Sequence, residues 1–224
     1  MTQPTFTPAP SLSQKIEALL IKRPVILQLL RFAAIGILNT AIDFIILNFF
    51  SKLLGIDEGV RLGYVNIIGF AMATIQSYIW NRYWAFDTSN QIGVLKNFIR
   101  LVLVGGLGFA AFVLVLLGAG KGAFPGYYLI VLIGLIIAQG FLWYNFKLHE
   151  APDQAHSSHS TQFIAFLIVS VVGLLINSGI VALVSGRLPE EISTDLVKNV
   201  AKVVATAFSL VWNFIGYKLI VFKK

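Results

Sequence analysis

Six long apolar stretches, at about 32–51, 63–85, 98–118, 126–147, 162–185 and 199–221, alternate with short polar segments along the chain. Each holds the roughly 20 residues that a helix needs to cross ~30 Å of hydrocarbon. Several carry Gly, Asn, Gln, Ser or Asp, a pattern of helices packed on one another rather than bathed in lipid on every side. The pattern predicts an all-α membrane protein of about six transmembrane helices. Ahead of them, Ser11 to Lys22 sets Ile16, Leu19 and Leu20 among Gln14, Lys15, Glu17 and Lys22. Ser11 and Gln14 have capping-box spacing and Pro24 is a stop, so a short amphipathic helix on the membrane surface is expected. The chain thus divides into a cytoplasmic tail over 1–30, with that interfacial helix, and one transmembrane domain over 31–224. The polar HEAPDQAHSSHSTQ of 149–162 reads as a linker.

The hydrophobic segments also repeat. Hairpins open near Phe32, Phe98 and Phe163, at intervals of 66 and 65 residues. Each second helix ends in an aromatic, Asn and cationic cluster: WNRYWAF at 80–86, WYNFK at 143–147 and WNFIGYKLIVF at 212–222. Three degenerate copies of one helical hairpin, at about 31–86, 96–148 and 161–222, account for this economically.

Composition sharpens the picture. Hydrophobic residues make up 57% of the chain and charged residues 12%, about half the charged share of a soluble domain. A soluble fold of 224 residues has too little interior to hide that apolar surface. There is no cysteine, which excludes disulfides and Cys-based zinc sites. The net charge of +7 sits mostly at helix ends, so it reads as topology signals and contacts for anionic lipid, not as a nucleic-acid surface. Eleven cations fall on the side of the two termini (Lys15, Lys22, Arg23, Arg31, Arg82, Lys96, Arg100, Lys147, Lys218, Lys223, Lys224) and six on the other. Both termini are therefore expected in the cytoplasm. The opening MTQPTFTPAPSLSQ lacks the basic start and apolar core of a signal peptide, so insertion is expected to rely on the first membrane helix.

Among candidate functional residues, Asp43 stands out, because it lies near the middle of the first span. A central Asp costs about 2.5–3.5 kcal/mol on insertion scales and needs compensation. Gly36, Asn39, Thr40 and Asp43 form one stripe at helical spacing, expected to face the bundle or a wet cavity. Asp43 reads as part of a polar wall, as a protonatable site, or as structural glue, protonated or paired with Lys202. Lys202, about one turn inside the last helix, either snorkels outward or receives an anion. Arg82, Lys147 and Lys218 recur at the cytoplasmic ends of the second helices, as membrane anchors or as phosphate contacts, Arg in bidentate fashion. Gln76, Ser77, Asn81, Gln139, Asn145, Ser209 and Asn213 serve either interhelical hydrogen bonds or a polar path. GAGKG at 118–122 is no phosphate loop, since Gly122 stands where magnesium needs Ser or Thr. Asp153, His156 and His159 have metal-like spacing, but in a linker that would not hold ligands rigidly. No cofactor is expected.

The first hairpin, FAAIGILNTAIDFIILNFF followed by an apolar helix ending in NRYWAF, resembles the GtrA-like family. The last hairpin strengthens this, with F-x-x-F-x-x-V-S-x-x-G-x-x-x-N at Phe163, Phe166, Val169, Ser170, Gly173 and Asn177, then AKVVATAFSLVWNFIGYKLIVF. The middle hairpin departs from the family's usual four helices. The resemblance implies a role in moving a polyprenyl-phosphate-linked sugar across the cytoplasmic membrane, for polysaccharide or cell-surface glycan synthesis. A partner glycosyltransferase would make the substrate, and a homo-oligomer is compatible with the role. On this reading the headgroup and its phosphate would meet Asn39, Asp43, Arg82, Lys147, Lys202, Asn213 and Lys218. The protein would not be an enzyme: its carboxylates are scattered and no Ser–His–Asp set emerges. Two other readings stay open, a scaffold that recruits a glycosyltransferase and a small proton-coupled multidrug-type exporter.

Overall fold

The computed structural model describes residues 24–56, 59–87, 94–148, 159–185, 204 and 207–222, and among them every regular element is helical. The helices are α1 (Pro24–Leu54), α2 (Gly59–Trp80), α3 (Val94–Gly120), α4 (Pro125–Asn145) and α5 (His159–Ser185). A shorter apolar helix, α6 (Ala207–Val221), follows. Among the described residues, four helices are long and apolar enough to cross a membrane: Val25–Leu54, Leu95–Ala119, Pro125–Asn145 and His159–Ile176. Helices suit such a chain because each satisfies its own backbone polar groups in a medium that offers none. The amphipathic segment Ser11–Lys22, Lys202, and the long loop before α6 lie outside the described residues. The segment read as a linker ends earlier than expected, since α5 already begins at His159.

Glycine ends two of the helices. Gly55 and Gly122 adopt φ of 64° and 63°. Ile56 N–H then bonds Ser51 O at 2.9 Å, and Ala123 N–H bonds Gly118 O at 2.9 Å. These are the six-to-one bonds of a Schellman close, which needs a left-handed residue. Pro125 opens α4 after an extended Phe124, where its missing N–H costs nothing. At the far end of α4, Lys147 takes φ 56°, a conformation uncommon outside glycine.

α1 is the hub. Its Ile35, Leu38, Ala41, Ile45 and Ile46 are all buried. On one side it meets α3, where Gly108 lies so close that a Cβ would stand 2.6 Å from the Leu38 backbone. On another it meets α2 at Asp43 and Gly69. Small residues at such crossings let helices approach where lipid gives them no hydrophobic reason to associate. The middle hairpin is tied to α2 as well: Gln76 Nε2 and Trp80 Nε1 donate to Gln139 Oε1 at 3.1 and 3.0 Å.

Both outer hairpins end in a wide π-turn, Asn81–Ala85 after α2 and Tyr217–Val221 at the close of α6. Each is sealed by the following Phe, whose N–H returns to the first residue of the turn (Phe86 to Asn81 O, 3.0 Å; Phe222 to Tyr217 O, 2.7 Å). Phe86 and Phe222 stack on each other, centroids 5.0 Å apart and planes at 18°. The turns register NRYWAF with YKLIVF, so Arg82 corresponds to Lys218 and Asn81 to Tyr217. Matching the two W-N pairs by eye would pair Asn81 with Asn213 instead. The middle hairpin closes differently, on Phe146, Lys147 and Leu148.

Candidate functional site

Facing residues of the first and last hairpins explain one another. On α5, Phe166, Val169, Ser170 and Gly173 repeat at three- and four-residue steps, so they share a face. On α6, Trp212, Asn213, Gly216 and Tyr217 do the same. Tyr217 stacks on Phe166 at 4.0 Å and 13°. Ser170 Oγ donates to Phe166 O at 2.9 Å and lies 2.6 Å from Tyr217 Oη. With the serine proton committed, the tyrosine hydroxyl donates to Ser170. Trp212 Nε1 donates to Val169 O at 3.1 Å. Gly216 lets Val169 close in, and Asn213 Oδ1 fills the place where Gly173 would carry a Cβ. Phe166, Val169, Ser170 and Gly173 of the F-x-x-F-x-x-V-S-x-x-G pattern are therefore the docking face for α6, while its first aromatic, Phe163, meets Tyr78 of α2 edge-on at 5.3 Å.

Between these helices and the first hairpin lies a cavity of about 190 Å³. It is walled by Asn39 of α1, by Phe70, Thr74 and Ser77 of α2, by Phe166, Ser170, Gly173 and Leu174 of α5, and by Ser209, Asn213 and Tyr217 of α6. All the walls come from the two hairpins that carry the sequence resemblance. Seven lining positions bear a hydroxyl or an amide, and none bears a charge. The carboxamide oxygens of Asn39 and Asn213 are buried and have no hydrogen-bond partner among the described residues. A buried polar atom left unpaired costs about 1–3 kcal/mol, so such atoms call for a water or a ligand.

Of the residues expected to form a site, Asn39 and Asn213 thus meet across four helices. Asp43 does not line this cavity. It sits one turn further along α1, where a Cβ on Gly69 would stand 2.6 Å from its Oδ1 and 3.1 Å from its backbone oxygen. Its Oδ1 is buried without a partner among the described residues. The polar stripe is therefore divided: Asn39 faces the cavity, Asp43 faces α2, and Gly36 and Thr40 are exposed. The reason is geometric, because α1 contacts α2, α3 and the cavity on different faces.

At the end of the bundle where the π-turns lie, Arg82 and Lys218 each occupy the second position of a turn. Arg82 is half-buried and donates to Tyr78 Oη at 3.1 Å and to Gln162 Oε1, with His159 Nε2 3.5 Å away. Lys218 Nζ stands 5.9 Å from the Phe214 ring centroid. Arg82 is five residues past Ser77 on the same helical run, roughly 7.5 Å of rise from the cavity wall. Between them lies an aromatic layer of Phe32, Tyr78, Phe86, Phe166, Phe214, Tyr217 and Phe222, joined by ring contacts. Lys147 is exposed on the middle hairpin, whose residues contribute nothing to the cavity walls.

Two arginines counted as topology signals have defined structural partners. Arg31, only 5% exposed, donates to Trp84 O (2.9 Å), Asp87 O (3.3 Å) and Asn97 Oδ1 (2.6 Å). Arg100 donates to Phe146 O at 2.9 Å and lies 4.6 Å from that ring's centroid. Each closes the carbonyl end of its hairpin's second helix, where a cation also meets the negative end of the helix dipole. Sequence periodicity held no signal for this, since a cation at a membrane helix end has an adequate explanation already. Thr74 and Ser170 were likewise missed as cavity residues, and only the Ser-x-x-Gly spacing hinted at the second.

Comparison with known proteins gives one family. A model of the GtrA/DPMS transmembrane domain matches residues 31–151 and 152–222. No curated protein and no solved structure matches the chain.

Proposed function

Because the chain belongs to the GtrA/DPMS transmembrane-domain family, we propose that it moves a polyprenyl-phosphate-linked sugar across the cytoplasmic membrane for polysaccharide or cell-surface glycan synthesis. The observation that carries this reading is the polar cavity between the two outer hairpins, with unpaired Asn39 and Asn213 oxygens buried among the helices. A hydrated headgroup crosses hydrocarbon slowly because its hydroxyls lose water without replacement. Hydroxyl and amide walls supply the replacement while the polyprenyl tail stays in the bilayer.

The phosphate docks at Arg82 and Lys218 on the cytoplasmic side, with Lys147 and Lys202 as further anion contacts on the headgroup's way in and out. Asp43, beside Asn39 on α1, holds the wall against α2 and carries the one mid-span carboxylate of α1. The chain spans the membrane six times as three hairpin repeats, with both termini cytoplasmic. A membrane-bound glycosyltransferase supplies the lipid-linked sugar, anionic lipids meet the cationic helix ends, and the protein itself makes and breaks no bond. A pure scaffold for that glycosyltransferase would have no use for the cavity. A symmetric multidrug-type exporter would want Asp43 at a subunit interface, whereas it packs on Gly69 of its own chain.

Reconstitution in liposomes with a fluorescent short-chain polyprenyl-phosphate glucose tests the proposal. Transbilayer movement faster than in empty liposomes is expected. A rate equal to that of empty liposomes rejects transport and leaves the scaffold.

A further inference from the structure

Where the middle hairpin meets α1, hydrogen-bond donors outnumber acceptors. Arg31 places its fork on Trp84 O, Asp87 O and Asn97 Oδ1. Its Nε and the Nε1 of Trp84 are nonetheless buried with no acceptor among the described residues. The Arg31 guanidinium carbon lies 5.9 Å from the Trp84 ring centroid, so both unmet donors belong to one locus. One turn beyond Asn97 on α3 comes Arg100, close enough for its charge to oppose that of Arg31, while Asp87 is the acidic group that attracts Arg31. Arg100 is half-buried, donates to Phe146 O at 2.9 Å and lies 4.6 Å from the Phe146 ring centroid. No second acceptor faces its remaining N–H groups among the described residues. A planar fork steadied on a ring, with most of its donors unspent, is suited to take two oxygens of a phosphate at once.

The surroundings of Arg100 define the class of anion. Lys96, one turn earlier on α3, is exposed, and so is Lys147, which directly follows Phe146. Lys147 turns the chain with φ 56°, a conformation uncommon outside glycine. The Arg100–Phe146 bond therefore brings three cations to one end of the α3–α4 pair. One turn deeper on α3, and towards the middle of α4, the surface changes character: Leu103, Phe141 and Tyr144 are exposed. A phosphate on Arg100 thus has apolar surface running away from it along both helices. Free phosphate would use the cations alone, whereas an amphiphile with a negative headgroup uses both halves of the surface.

We propose that Lys96, Arg100 and Lys147 form a docking site for the phosphate of an anionic phospholipid at the cytoplasmic, lipid-facing end of the middle hairpin. The lipid supplies acceptors that this end of the bundle lacks, offsets the repulsion between Arg31 and Arg100, and ties the end of α4 to α3. The assignment does not rest on the transport reading, in which Lys147 is one anion contact among several.

Lipid retention by the full-length protein in detergent tests this without a transport assay. Native mass spectrometry counts bound lipid while phosphatidylglycerol, phosphatidylcholine or inorganic phosphate is titrated in, and thermal unfolding is followed in parallel. Phosphatidylglycerol should be retained and should raise the unfolding temperature; phosphatidylcholine and phosphate at equal concentration should do neither. Lys96→Gln and Lys147→Gly should each weaken phosphatidylglycerol retention about fivefold. Glycine suits the left-handed turn at 147 while removing the cation. Arg100→Gln should abolish the stabilisation. Lys121→Gln, at the opposite end of the same hairpin, should leave both readouts unchanged. Should Arg100→Gln not fold, the two lysine variants decide alone. Retention at wild-type strength in both of them overturns the proposal, as does equal stabilisation by inorganic phosphate or by phosphatidylcholine. Displacement of phosphatidylglycerol by an equal concentration of polyprenyl-phosphate glucose also overturns it and assigns the site to the carrier lipid.

Discussion

Gly173 shows how much of this protein is decided by single atoms. Its hydrogen leaves the space that the Asn213 side chain occupies, so the glycine on α5 and the amide on α6 form one feature. A Gly173→Ala change should destabilise the bundle by about 1–3 kcal/mol, as overpacking does, and displace Asn213 from the cavity wall. Thermal unfolding in detergent would measure the first effect and headgroup binding the second. Gly134→Ala is the matching control, since its added Cβ meets nothing within 4 Å. It should be neutral or stabilising by up to about 1 kcal/mol, the usual gain for removing a helical glycine. Arg31 makes a second residue-level case. Its fork reaches two carbonyls at the end of the π-turn and the Asn97 oxygen together, which a lysine point charge cannot reproduce. Arg31→Lys should therefore lower thermal stability even though charge is retained; unchanged melting would mean the fork is dispensable. At this scale the sequence was partly legible. Asn39 and Asn213 were recognisable as polar groups in apolar helices, but their meeting depends on a fold-level contact that spacing cannot encode. Asp43 was recognisable as costly at mid-span, yet its direction, toward Gly69 and away from the cavity, depends on which neighbour α1 presents it to.

Among the helices, apolar length was the dominant signal, and α1 to α5 overlie the first five stretches; α1 begins at Pro24, about eight residues ahead of its stretch, and the far ends of α1 and α3 run on by two or three residues. Those shifts have local causes: the Schellman closes at Gly55 and Gly122 carry α1 and α3 beyond their apolar cores. The π-turns were not legible. A five-residue turn hides inside a run of aromatics, and such wide turns occur disproportionately where function needs a re-aimed side chain. Here they re-aim Arg82 and Lys218 to corresponding places on either side of the Phe86–Phe222 stack. The middle hairpin acts on the element scale as a buttress on α1 and α2. Gly108→Ala would push a methyl against the Leu38 backbone, which has no flexible tip to yield. It should cost about 1–3 kcal/mol and leave the headgroup preference of the remaining folded protein unchanged, because no middle-hairpin residue lines the cavity. A melting curve paired with binding of polyprenyl-phosphate glucose would reveal any departure from that separation.

Across the whole molecule, the arrangement is two outer hairpins around a polar cavity with a third hairpin laid against them. Topology follows from where the cations fall, and it is checkable because the chain has no cysteine of its own. Lys147→Cys should react with an impermeant maleimide from the cytoplasmic side of sealed vesicles, and Lys121→Cys from the opposite side. The reverse pattern would invert the orientation read from the charge bias. The central claim is that a sugar headgroup passes through the space between the outer hairpins, and plugging that space tests it most directly. Ser209→Trp places an indole in the cavity, and liposomes containing it, once circular dichroism and gel filtration show a folded protein, can be compared with wild type for transbilayer movement of polyprenyl-phosphate glucose. The account predicts that wild type accelerates movement while the plugged variant matches empty liposomes. Movement through the plugged variant at the wild-type rate would contradict it.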